Sequence, residues 1–196
     1  EIKHIVLNKK RLCILLSGLS FLNNYQCRDE MYLKNIDFKK YVKNFQDYIY
    51  LHFQEYFNYD IDIYLVTNDS IMKNDIIDIY KPKKYLFIDE KKKDNISGQH
   101  ILKKITGLEM IQEEINQGKK YHHILITRFD IFFKKKLFTQ NLNFTQMNIF
   151  SILENSGVIC DNFYLFPQSY LSKFTLLLKN IFNIFKNKKE YFTPNY

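Results

Sequence analysis

The chain is predicted to fold as an α/β domain, with a central, mainly parallel sheet flanked by helices. Short apolar runs of strand length alternate along it with longer segments whose apolar residues recur every three to four positions, the pattern of buried strands and covering helices. The run Tyr121-His-His-Ile-Leu-Ile-Thr-Arg-Phe-Asp-Ile-Phe-Phe133 adds a second observation: it breaks at Arg128 and Asp130 before apolar residues resume. In open α/β sheets ligands bind outside the carboxyl ends of the strands, so a strand delivering a cation and a carboxylate there has the form of a site.

Arg11 to Leu16 is a continuous apolar run closed by Ser17-Gly18, as for a buried parallel strand and a tight turn. From Asp37 to Phe57, Phe38, Tyr41, Val42, Phe45, Tyr48, Ile49, His52 and Phe53 share one helical face. Asp60 to Val66 reads as a second strand, and Thr67-Asn-Asp-Ser70 supplies turn and capping chemistry after it. A short helix is expected over Ile71 to Tyr80, stopping before Pro82, and a third strand over Lys84 to Ile88. Asp89 to Gly98 has no apolar periodicity and reads as a surface loop around Lys91-Lys-Lys93. Helical spacing returns from Gln99 to Asn116, with Gly118 as C-terminal cap. Two further strands are expected at Asn148 to Ile152 and Val158 to Phe166, and an amphipathic helix over Tyr170 to Lys186.

A chain of 196 residues fits one domain spanning 1–196, and no linker or repeat divides it. No apolar stretch reaches the roughly 20 residues of a membrane span, so a soluble chain is expected. Its first residue is Glu1, which suggests a fragment of a longer protein. Cys13, Cys27 and Cys160 form no CxxC pair, which suits a reducing compartment and a cytoplasmic location. The net charge of +8 favours polyanionic ligands through long-range attraction. It is carried by lysine, with only Arg11, Arg28 and Arg128 as arginines, which argues against a dedicated nucleic-acid reader. A basic polyanion-binding module remains the alternative from another class, and for it the lysine clusters would matter and Asp130 would not.

Arg128 and Asp130, two residues apart, project to the same side of an extended segment and can touch one ligand together. A diphosphate needs its charge neutralised by a fixed cation and a carboxylate-held divalent ion, and this pair offers both parts. The plain alternative is a salt bridge at a surface strand end. Asp161 interrupts an apolar strand beside Asn162, where carboxylates seldom sit without a partner or a task. A general base, an acceptor-binding group, a partner that orients Arg128 and a simple turn residue all fit it. Ser17-Gly18 and Thr67-Asn68 follow strands where a nucleotide's base and ribose would lie. There is no GxGxxG and no GxxxxGK[ST], and His122-His123, facing opposite ways, make no zinc site.

Taken together, Lys10-Arg-Leu-Cys-Ile-Leu-Leu-Ser-Gly-Leu19, Asp60-Ile-Asp-Ile-Tyr-Leu-Val-Thr67, Tyr80-Lys-Pro-Lys83, Gln99, Tyr121 to Phe133 and Cys160-Asp-Asn-Phe163 resemble GT-A-type glycosyltransferases, of the kind found in large DNA viruses and bacterial surface-polysaccharide clusters. The resemblance spans most of residues 10 to 175 and implies a GT-A-like, Rossmann-like domain. It implies sugar transfer from a nucleoside-diphosphate donor, a UDP-sugar first, to a glycan hydroxyl, with Mn²⁺ or Mg²⁺ as cofactor. By the same resemblance Ser17, Gly18, Thr67, Asn68 and Gln99 bind donor with Arg128 and Asp130, Asp130 also holds the metal, and Asp161 is the catalytic base. Arg128 stands where the family's motif has its first acid, which leaves a catalytically degenerate scaffold domain as a further alternative. A viral origin would place the protein in host cytoplasm, and the full-length chain has room for further catalytic domains.

Overall fold

The computed structural model describes residues 9–26, 33–89, 99–134, 141–149, 152–153, 158–159 and 163–188. Its centre is a six-stranded sheet, built from β1 (Lys10–Gly18), β4 (Tyr59–Asn68), β5 (Lys84–Ile88), β6 (His123–Thr127), β7 (Asn148–Ile149) and β10 (Phe163–Pro167), in the order β5-β4-β1-β6-β10-β7. β5, β4, β1 and β6 run parallel, while β10 is antiparallel to β6 and β7 to β10. Two hairpins stand apart from it, β2 (Phe21–Gln26) with β3 (Leu33–Asp37), and β8 (Ile152–Leu153) with β9 (Val158–Ile159). The mixed, mostly parallel α/β architecture is the one expected.

Alternation along the central strands builds two cores. Leu12, Ile14 and Leu16 point to one face, where α1 (Lys39–Phe45), a π-helical turn (Gln46–Tyr50), α2 (Leu51–Glu55) and α3 (Lys73–Tyr80) cover them with Phe45, Ile49, Phe53, Ile76 and Tyr80. Cys13 and Leu15 point to the other, under α4 (Gln99–Asn116) and α5 (Leu171–Lys188), which contribute Ile105, Leu108, Ile111, Phe174 and Leu178. Each fully buried Leu or Ile contributes about 1.5–3 kcal/mol through removal from water.

The helical face read between residues 37 and 57 buries as expected, but the helix starts at Lys39 because Asp37 closes β3 and its carboxylate accepts the Lys39 N–H at 3.0 Å. The run over 71–80 becomes helical at Lys73 and ends with Lys81 in the left-handed region at φ 44°. Corrections fall on the carboxyl third. The segments 148–152 and 158–166 were expected as one strand each, and both are divided between the main sheet and the β8-β9 hairpin. Asn148 opens β7, and its side-chain amide donates back to the carbonyls of Asn143 and Gln146, closing the turn that leads into the strand.

At the amino edge, charges are used structurally. Asp62 accepts hydrogen bonds from Tyr121 Oη at 2.8 Å and Arg11 Nη2 at 3.1 Å, and Glu114 is paired with Lys83 and Lys84 at 2.7 and 2.8 Å. Burial pushes the Asp62 carboxyl up, but hydrogen bonds from Tyr121 and Lys119 outweigh it and the net direction is down. Glu114 is drawn from 4.5 down to about 2 by Lys83 and Lys84. Both folded-state values lie below the unfolded ones, so the stability these groups contribute is present at neutral pH and lost as pH falls from about 4.5 toward about 2. Urea midpoints taken across that range should drop steeply for the wild type and less for Glu114→Gln; equal slopes would remove Glu114 from the account.

His122 and His123 belong to the same structural layer. His123 donates from Nε2 to the Phe144 carbonyl at 2.7 Å and accepts from Tyr59 Oη at Nδ1 at 2.6 Å, while His122 Nδ1 accepts the Arg11 N–H at 2.9 Å.

Candidate active site

The site begins with the strand order. From β1 the chain passes to β4 on one side, whereas β6 lies on β1's other side, so the order reverses between β1 and β6. A crevice opens beyond the carboxyl ends of strands at such a reversal, and it is where open α/β sheets take ligands. β1 ends there in Ser17-Gly18 and β6 hands on to Arg128, since Leu16 pairs with Thr127.

Arg128 and Asp130 meet in a two-pronged ion pair, Nε to Oδ1 at 2.8 Å and Nη2 to Oδ2 at 2.7 Å. The salt bridge weighed as the plain alternative is thus formed, just beyond the carboxyl end of β6, with side chains 29% and 17% exposed. Gly18 packs beside it: a Cβ there would meet Arg128 Cγ at 3.5 Å, an ordinary contact, but the φ of +125° is one that side-chain-bearing residues rarely adopt.

The segment carrying the pair is pinned on both sides. Phe129 turns down into the core and meets the Tyr80 ring edge-on at 5.6 Å. Beyond Asp130, Phe133 donates its N–H to Asn44 Oδ1 at 2.7 Å and accepts from Asn44 Nδ2 at 3.0 Å, as a neighbouring strand would. Asn44 was not singled out from sequence; its one signal is an amide among the apolar positions of a covering helix. Two anchored ends leave the charged pair little freedom, which is the condition for a preorganised site.

Thr67 and Asn68 bond inward. Thr67 Oγ1 donates to the Gly18 carbonyl at 2.8 Å and lies 2.8 Å from Ser20 Oγ. Asn68 accepts the Ser20 N–H at 3.2 Å and donates to the Phe21 carbonyl at 2.8 Å. These buried groups hold the turn that follows β1, and Ser20, 0% exposed, completes a knot that the sequence reading missed. Ser17 points to the α4 side, and its buried Oγ has no hydrogen-bond partner among the described residues; the same is true of Gln99 Oε1 at the start of α4. Polar atoms left so are costly unless something else satisfies them. Asp161 and Asn162 lie outside the described residues, as do Cys27, Cys160, Lys91 to Lys93, Lys135 and Lys136.

For a divalent ion, the described residues hold no group of three His, Cys, Asp or Glu side chains. Asp130 is the carboxylate at the crevice, and both its oxygens are engaged by Arg128. A divalent ion there would have one carboxylate, whose oxygens it would share with the guanidinium, and would need substrate phosphates and water for the rest of its shell.

No protein-family model matches the sequence, and a comparison with curated proteins returns no match. Among solved structures, the apo-form glycosyltransferase GlyE of Streptococcus pneumoniae TIGR4 is similar at a TM-score of 0.43 and 12% identity, over 96% of this chain and 40% of that one. This chain therefore spans two fifths of that protein's length, and a likeness of this size assigns neither activity nor residues. No helix among the described residues is long and apolar enough to cross a membrane.

Proposed function

We propose that the protein is a nucleotide-sugar-dependent glycosyltransferase that takes its donor diphosphate at the β1/β6 crevice. The observation that carries the reading is the anchored Arg128–Asp130 pair beside Gly18 at the point where strand order reverses. A guanidinium matches phosphate oxygens with a planar fork of donors, which a lysine cannot reproduce. Gly18, lacking a side chain, lets the ligand approach the backbone, and the buried Ser17 hydroxyl and Gln99 amide oxygen, without partners among the described residues, lie beneath that edge. Thr67 and Asn68 serve by fixing the turn that carries Gly18.

In this reading Arg128 holds the diphosphate and stabilises its charge as the glycosidic bond to the leaving group breaks. Asp130 keeps the guanidinium in orientation, and Mn²⁺ or Mg²⁺ would be held by Asp130 only by sharing its oxygens with Arg128, supplying further charge neutralisation when bound. Asp161, two residues before β10, is assigned the acceptor-side role, removing the proton of an attacking carbohydrate hydroxyl. The donor is a hexose or deoxyhexose nucleotide, a UDP-sugar first.

Thermal-shift titration with UDP-, GDP- and dTDP-sugars, with and without Mn²⁺, tests the reading. A ligand at 100 times its dissociation constant stabilises by about 2.7 kcal/mol, so at least one donor should raise Tm by several degrees. No shift with any nucleoside diphosphate would remove it.

A further inference from the structure

We infer that Lys103 and Lys104, early in α4, join Arg128 in a set of cations that holds a diphosphate at the carboxyl edge. The inference rests on the diphosphate reading of that edge and adds residues that the strand ends do not carry. Lysines on a covering helix normally keep their ammonium groups in water, yet these two are 2% and 3% exposed. Both also have interactions of their own within the fold.

Their position follows from topology. α4 joins β5 to β6, strands running in the same direction, so it runs back over the sheet from the carboxyl edge to the amino edge. Gly107 rests on Leu15, so closely that a Cβ there would lie 2.3 Å from Leu15 Cδ1. One helical turn earlier is about 6 Å toward the carboxyl edge. Ser17, on the same face as Leu15, is displaced by about 6.6 Å in the same direction. Lys103 thus stands at the level of Ser17, whose buried Oγ has no partner among the described residues. Lys104 Nζ lies 5.5 Å from the centre of the Tyr164 ring, and Tyr164 pairs with Ile126, two residues before Arg128.

Charge supports the same assignment. Arg128 is already matched by Asp130, so a diphosphate needs cations beyond that pair. The first turn of α4 carries no acidic residue, its leading N–H groups point to the edge, and the buried Gln99 Oε1 has no partner among the described residues.

Calorimetric titration of the whole protein with inorganic pyrophosphate, in EDTA and then in Mn²⁺, tests this. Lys103→Met, Lys104→Met and the double variant keep the buried stem and remove the charge; circular dichroism confirms the fold, and the single variants decide if the double one does not fold. Each single change should weaken pyrophosphate binding about tenfold or more, Lys103→Arg should retain most of it, and Lys173→Met, at an exposed position of α5, should leave it unchanged. Unchanged affinity in the folded Met variants, or no pyrophosphate binding by the wild type, overturns the inference. Lysine-dependent pyrophosphate binding with no gain from any nucleoside diphosphate or its sugar would uphold it while removing the glycosyl-transfer reading.

Discussion

Asp130→Ala is expected to abolish sugar transfer, lowering kcat by at least about 10²-fold, the scale on which loss of a preorganised electrostatic group acts. Both carboxylate oxygens of Asp130 are spent on Arg128, so removing them releases the guanidinium from its orientation. Asp130→Asn keeps the shape but offers one oxygen and no charge, and should lose nearly as much. In the proposed reading the nucleoside lies at Ser17 and Gly18 rather than on this pair, so uridine affinity should hold while diphosphate affinity falls. A basic polyanion-binding module behaves in the opposite way: there Asp130→Ala removes a repelling charge, and binding to a nucleic acid is unchanged or stronger. Parallel measurement of transfer and of polyanion affinity on one variant therefore separates the two classes.

Gly107→Val should cost the fold more than about 3 kcal/mol, the largest stability effect expected of a single change here. A Cβ at Gly107 would meet Leu15 Cδ1 at 2.3 Å, Cδ2 at 2.6 Å and Cγ at 3.0 Å, and Leu15 is 0% exposed, so its methyl groups must shift within a packed core. Valine adds two further carbons to that collision and prefers a helix less than alanine does. Gly107→Ala is milder, since about 1 kcal/mol of helix propensity offsets part of an overpacking cost of about 1–3 kcal/mol. Urea unfolding measures both, and Leu15→Ala in the same chain should recover part of the loss because it vacates the contested volume. A Gly107→Val protein as stable as the wild type would mean that α4 does not lie on β1 as described, and the placement of Lys103 would fall with it.

The parallel part of the sheet was legible because its strands are continuous apolar runs with one polar terminus each, and their covering helices keep a clean periodicity. α4 runs from Gln99 to Asn116, the span its spacing predicts. The two hairpins were not legible. The β2-β3 segment carries no long apolar run, and 148–166 reads as two strands because local propensity says nothing about which sheet a short run joins. At the site, Arg128 and Asp130 announced themselves by breaking an apolar strand. Asn44, Ser20, Lys103 and Lys104 did not, because their importance comes from burial and a distant partner. A lysine pair on a helix reads as solvated charge until the helix is laid on the sheet.

The most direct test is a crystal structure of the protein with a UDP-sugar and Mn²⁺. The account predicts the diphosphate between the carboxyl ends of β1 and β6, with its oxygens at hydrogen-bond distance from Arg128 and the nucleoside near Ser17 and Gly18. A donor bound elsewhere, such as the groove of about 330 Å³ between α4 and α5 lined by Glu109, Gln112, Ser172 and Lys179, with Arg128 and Asp130 untouched, would contradict it.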